Sequence, residues 1–180
     1  MRTKFHVISM GLFLSLVSAG ASLAGDADLD QKARQGTVRC GGSHFLRLGG
    51  TEIHFTTYNL RNLSSTTPIT IERVVFLDAA GGVLFDSGVS GFPATDNGIL
   101  GPSDQVLDPN QTAQLDTLGL LPFLAETQRP IQLEISWSAP LRVLTLDVSL
   151  VRVVRERDPA TGLHGAERSR HLRDCRTIGR

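Results

Sequence analysis

The side chains best equipped for chemistry in this 180-residue chain are two cysteines, Cys40 and Cys175, and four histidines beyond the N-terminal region, His44, His54, His164 and His171. Imidazole is a good ligand for copper and zinc, and His44 and His54 could share an ion if neighbouring strands brought them together. Asp96-Asn97-Gly98 with Asp104 offers the hard oxygen ligands that calcium takes, although the spacing fits no known calcium loop. Cys40-Gly41-Gly42-Ser43-His44 sets a thiol near an imidazole in sequence. The metal candidates are therefore His44, His54, Asp96 and Asp104. Each also has a plainer reading. Lone histidines on strands serve as polar surface or satisfied core groups, and aspartates at turns bond nearby backbone amides. The plainer readings are preferred, so no catalytic residue, cofactor or metal is assigned.

The remaining motifs point away from catalysis. Gly88-Val89-Ser90-Gly91-Phe92 fails the last position of a nucleophile elbow. The chain contains no Cys-x-x-Cys, no His-Glu-x-x-His and no phosphate-binding or dinucleotide glycine pattern. Asn62-Leu63-Ser64 and Asn110-Gln111-Thr112 match the glycosylation pattern and read as chance matches at turns.

The ends of the chain speak to compartment. Arg2 and Lys4 precede an apolar run from Val7 to Val17, followed by the small residues SAGASLA and then GDADLD. This is the layout of a secretory signal peptide over residues 1–24, cut after Ala24 or, as a second choice, after Ala21. The apolar run is shorter than the ~20 residues a membrane span needs. An exported protein, periplasmic or secreted, is the expectation. In an oxidising compartment an isolated cysteine pair reads as a disulfide, Cys40–Cys175, and closing so long a loop contributes roughly 5 kcal/mol in the chain-entropy model. A reactive thiol beside His44 is the alternative.

Eighteen Lys and Arg balance eighteen Asp and Glu, so net charge gives no reason to expect a nucleic-acid or membrane partner. The charges are unevenly placed. No Lys or Arg lies between Arg73 and Arg129, whereas the stretch from Arg152 to the end holds eight arginines and four acids. Such a split could steer partners, or the two regions could pair within the fold.

The positioning elements read as strands. Residues 25–36 form a polar, flexible lead-in, and a single domain covers 37–180. Candidate strands lie at Ser43–Leu48, Thr51–Leu60, Ile69–Leu77, Val83–Phe85, Gln111–Leu115, Ile131–Ser138, Arg142–Val154 and Glu167–Thr177. In Ile131–Ser138, Ile131, Leu133, Ile135 and Trp137 share one face. In Arg142–Val154, read as the longest strand, Leu144, Leu146, Val148 and Leu150 point inward and Thr145, Asp147 and Ser149 outward. Leu118–Glu126 suggests a helical turn capping the core. Residues 86–103 form a long loop, the best candidate contact surface. No long segment carries a helical period, and seven or eight short strands at regular spacing predict an all-β fold. A single antiparallel β-sandwich of immunoglobulin-like type is expected, with a small β-barrel as the alternative.

Arg61-Asn62, Pro68-Ile69-Thr70-Ile71, Asp78 with Gly81-Gly82, Leu107-x-Pro109 with Gln111-Thr112, and Glu134-Ile135-Ser136-Trp137 follow one another across residues 52–151. In this order they resemble a family of small bacterial envelope domains of unknown function, and the wider group of immunoglobulin-like extracellular accessory modules. The cysteine pair and the arginine-rich end lie outside that pattern. The resemblance implies a β-sandwich in an exported setting and brings no catalytic residues. The expected function is a non-enzymatic binding or interaction module whose partner is another envelope protein or a surface ligand. The alternatives are a metal-binding or hydrolytic envelope protein using His44, His54 and loop aspartates, and a structural subunit that assembles by strand addition.

Overall fold

A computed structural model describes residues 32–120, 123–124, 128–144 and 146–178. The signal segment and the first part of the lead-in lie outside the described residues. Two antiparallel sheets pack face to face as an open β-sandwich. The first has the order β11-β1-β8-β4-β5, built from Arg176–Ile178, Lys32–Gly41, Gln132–Leu144, Ile69–Leu77 and Val83–Asp86, with β6 (Val106–Leu107) also on β4. The second has the order β10-β9-β3-β2, built from His164–Asp174, Asp147–Arg157, Glu52–Arg61 and Phe45–Arg47, with β7 (Thr112–Asp116) also on β3. Eleven strand segments among the described residues replace the seven or eight expected, because short pieces share edges: β5 and β6 divide one side of β4, and β2 and β7 divide one side of β3.

The core is the sum of the inward rows. Val38, Tyr58, Leu60, Ile71, Phe76, Leu133, Ile135, Trp137, Val148 and Leu150 belong to one buried cluster, and Tyr58, Phe76, Phe85 and Phe123 meet edge to face in sequence. Three expectations change. Strand β1 opens at Lys32, so residues 32–36 belong to the sheet and not to a flexible lead-in. Gly36 sits opposite Trp137, where an added Cβ would lie 3.0 Å from the indole nitrogen, and its lack of a side chain lets the ring fill the core. Second, Arg142–Val154 is not one strand. Residues 142–144 finish β8 in the first sheet, and the chain turns to begin β9 in the second at Asp147, which leaves Leu144 exposed while Leu146 is buried. Third, Ser149 is buried, accepting a hydrogen bond from Arg61 Nη2 at 2.6 Å.

The 86–103 segment is not a free loop. Asp86 caps a short helical turn at Ser87–Ser90, and the chain then crosses from one sheet to the other with Phe92, Thr95 and Leu100 buried. It is pinned to β7 by the amide of Asp96 on the Gln114 carbonyl (2.7 Å) and by the Asn97 side chain on the Thr112 carbonyl (2.8 Å). Its buried residues make it a wall of the sandwich, while its tip at residues 96–98 is exposed.

Cys40 and Cys175 form the expected disulfide, Cα atoms 4.7 Å apart, and no cysteine is free. Cys40 is buried on β1, and Cys175 lies where the chain leaves β10 in the second sheet to pair as β11 with β1 in the first. The bridge thus fastens the crossover at the sandwich's side. Asn62 is a second fastening. It is buried, its amide donates to the carbonyls of Thr67 and Leu107 (both 2.9 Å), and its oxygen accepts from the Ser64 amide (2.9 Å). A side chain so engaged carries no glycan.

Replacing both cysteines by serine is expected to remove amide-exchange protection from β11 and the end of β10 while β3, β4 and β8 keep theirs. Loss throughout the molecule would show that the bridge supports the whole sandwich. Asn62→Ala removes the buried amide that donates to the Thr67 and Leu107 carbonyls and should cost about 2 kcal/mol of unfolding free energy in a denaturant titration; an unchanged midpoint would contradict the assignment.

Candidate functional site

The pairing of β3, β9 and β10 decides which side chains face the first sheet. His54 is opposite Val154, Thr56 opposite Arg152 and Tyr58 opposite Leu150. On the other side of β9, His171 is opposite Arg152 and Arg173 opposite Leu150. Side chains alternate along a strand, so Leu150 and Arg152 share a face with Arg173 and His171. That row starts in the apolar core and runs out to cations. There it lines a cleft of about 610 Å³ completed by Gly41, Gly42 and Ser43 from the β1–β2 connection, Phe45 of β2 and Ile131 ahead of β8.

Arg152 is held at the cleft by two neighbours. Its Nη2 lies 3.2 Å from His54 Nδ1, and its guanidinium is 5.8 Å from the Phe45 ring centroid. Arginine has only donors, so His54 Nδ1 must accept. The other ring nitrogen, Nε2, lies 2.7 Å from Glu52 Oε1 and therefore donates. His54 is the Nε2–H tautomer, stacked on Phe45 with centroids 4.3 Å apart. The hydrogen bond from His54 holds the Glu52 carboxyl below its ordinary range, assisted by the charge of Arg168. Glu52 is thus turned toward His54 and Arg168, and no carboxylate among the described residues forms an ion pair with Arg152 or Arg173. The Nε of Arg152 is buried with no acceptor among the described residues. Arg155, Arg168 and Arg170, by contrast, all pair with Glu52, Glu156 or Glu167.

A smaller groove of about 330 Å³ lies on the outer face of the second sheet. Phe55, Val151, Val153 and Leu118 form its apolar floor, Asp96 and Asp116 stand on one side, and Arg155 and Arg170 on the other. Partial burial, with the charge of Asp116 added, pushes the Asp96 carboxyl up to about 6.

The four metal candidates do not converge. His44 is buried at the gap between β2 and β7 along β3, its Nδ1 3.2 Å from Thr117 Oγ1. There Thr117 Oγ1 also accepts from the Thr56 amide (3.2 Å), and Thr56 Oγ1 from the Ser43 amide (2.8 Å), so these side chains replace the missing ladder bonds. Burial lowers the pKa of His44. His54 belongs to the Glu52–Arg152 chain on the other side of the strand. Asp96 stands in the outer groove, and Asp104 caps its own turn by accepting from the Val106 amide at 3.0 Å. Among the described residues no group of three His, Cys, Asp or Glu side chains is placed to hold a metal ion. Also among them, no helix is long and apolar enough to cross a membrane.

Arg152, Arg173 and Phe45 were not singled out from the sequence, although a signal exists. Leu146, Val148 and Leu150 form the row expected to point inward, and Arg152 is the next residue of the same parity. An arginine continuing an inward row marks the place where the core opens.

Asp96→Asn tests the outer groove. A carboxyl whose folded pKa is raised binds a proton that the unfolded chain has released, so its contribution is complete below about pH 3.8, the unfolded value, and is lost as pH rises through about 6. Wild-type stability should therefore fall across that window relative to Asp96→Asn, by an amount trimmed by the solvent access Asp96 retains. Parallel pH–stability curves for the two proteins would refute the raised value. In comparisons with known proteins, the chain matches no family model, no curated protein and no solved structure.

Proposed function

We propose that the protein is an exported, non-enzymatic binding module of the cell envelope, and that the cleft lined by Arg152, His171 and Arg173 is where it takes its ligand. One observation carries this reading: the adjacent cationic side chains of Arg152 and Arg173 face a cleft with no carboxylate among the described residues that line it. Arg152 and Arg173 stand diagonal to each other on one face, close enough for their like charges to repel. Elsewhere in the same two strands Arg155, Arg168 and Arg170 are matched to acids, so the unmatched pair is a local departure. A bound anion would complete it. The disulfide and the secretion-type N-terminal sequence support an oxidising, exported setting.

The test is retention of small molecules from an envelope extract by the immobilised mature protein, identified by mass spectrometry. Anionic molecules should be retained by the wild type and lost from Arg152→Gln/Arg173→Gln, while a denaturant curve confirms that the variant folds. Identical retention by the two proteins would discard the cleft as the binding site.

A further inference from the structure

The outer groove contributes no ligand of its own, because both its arginines are already engaged by Glu167. The cleft carries more. Resting on the proposed binding role, we infer that its ligand is an amphiphilic organic anion, with a carboxylate or phosphate head among Arg152, His171 and Arg173 and an apolar tail along Phe45, Ile131 and Leu150.

The head follows from the register. His171 stands directly opposite Arg152, and Arg173 is one position diagonal to it on the same face. Cross-strand partners on one face stand roughly 5 Å apart and diagonal ones about 7–8 Å, a spacing that lets one anionic group meet two guanidinium forks and an imidazole. Arg152 is already positioned for this. His54 takes one of its N–H groups and Phe45 supports the guanidinium, so ordering it around a ligand loses little side-chain freedom. A second guanidinium, Arg47, lies 5.9 Å from the same ring and adds to the positive field.

The tail follows from size and lining. A cleft of about 610 Å³ falls in the range of ~300–1,000 Å³ occupied by organic ligands, and an inorganic ion would fill a small part of it. The rest of the wall holds an aromatic ring and two aliphatic side chains. Gly41 and Gly42 contribute no side chain to obstruct it. Gly42 is fixed as glycine, since a Cβ there would lie 2.1 Å from the Tyr58 hydroxyl oxygen.

Isothermal titration of the mature, disulfide-bonded protein with acetate, butyrate, hexanoate and octanoate tests the inference, with inorganic phosphate and hexanol as controls. Affinity should rise about fourfold per buried methylene until the cleft is filled, and hexanol should bind at least tenfold more weakly than hexanoate. Arg173→Gln, at an exposed position, should weaken octanoate about tenfold with its unfolding midpoint unchanged, and His171→Gln should weaken it by less. Phosphatidylglycerol vesicles separate the sources of the anion. Octanoate binding without vesicle binding assigns a free acid, and vesicle binding that octanoate competes away assigns a lipid of the same chemistry. Equal affinity for phosphate, acetate and octanoate would overturn the amphiphile and leave the anion-binding role standing. No binding by any anion, or no effect of Arg173→Gln, would overturn both.

Discussion

The structure depends on one register, that of β9 between β3 and β10. With ten paired residues on one side and eight on the other, β9 is the strand that the second sheet is built around. Because side chains alternate, a slip of one residue would turn Leu150 out of the core and Arg152 away from the cleft. Several contacts hold it. Tyr58 is fully buried opposite Leu150 and donates its hydroxyl to the Gly41 carbonyl at 3.1 Å, linking β3 to the end of β1. Arg61 reaches across to Ser149, and the Cys175 amide bonds the Val148 carbonyl at 2.9 Å. The disulfide closes the same region from the side. Apolar core, cationic cleft and outer groove are three readings of one alternation.

The cleft concentrates charge where the fold would otherwise avoid it. A guanidinium next to another cation, partly withdrawn from water and without a carboxylate, is unfavourable in isolation. Two features offset this. His54 is neutral in the tautomer its contacts require, so it accepts from Arg152 without adding charge, and Phe45 offers its ring to the cation. Glu52 contributes at one remove through His54. The arrangement orders Arg152 while keeping its charge available, which is what separates a binding arginine from a structural one such as Arg73, whose guanidinium is closed in a two-bond pair with Asp86.

Much of the fold was legible in single residues. The alternation through Leu133, Ile135 and Trp137 identified a core strand, and an isolated cysteine pair behind a secretion-type N-terminal sequence identified the tie between the two ends. The chain around residues 142–154 misled because its apolar alternation runs on through the corner. Periodicity reports burial, and it does not report that the burying sheet has changed at residue 146. Residues 86–103 were legible as long but not as packed, although Phe92 and Leu100 were the clue. The cleft was the least legible feature. Arg152 lies 19 positions from His171 in sequence, and their juxtaposition depends on irregularities in β10 between His164 and Ser169 that shift its register against β9. The histidines attracted attention because their side chains are versatile. Their placement shows His54 orienting an arginine and His44 filling a gap in a strand edge.

Strand β10 closes the second sheet, and among the described residues no strand lies beyond it. Such a border offers unpaired backbone groups to any other extended chain and invites fibrous association. This one is poorly suited to that. It is solvated along nearly all of its length, carries arginine at 168, 170 and 173, and is irregular between His164 and Ser169. An added strand would have to meet cations on both faces and follow an uneven ladder. Arg173, on the face toward the cleft, therefore also guards the sheet against pairing with another copy, and that protection comes from a side chain that gives the cleft part of its charge.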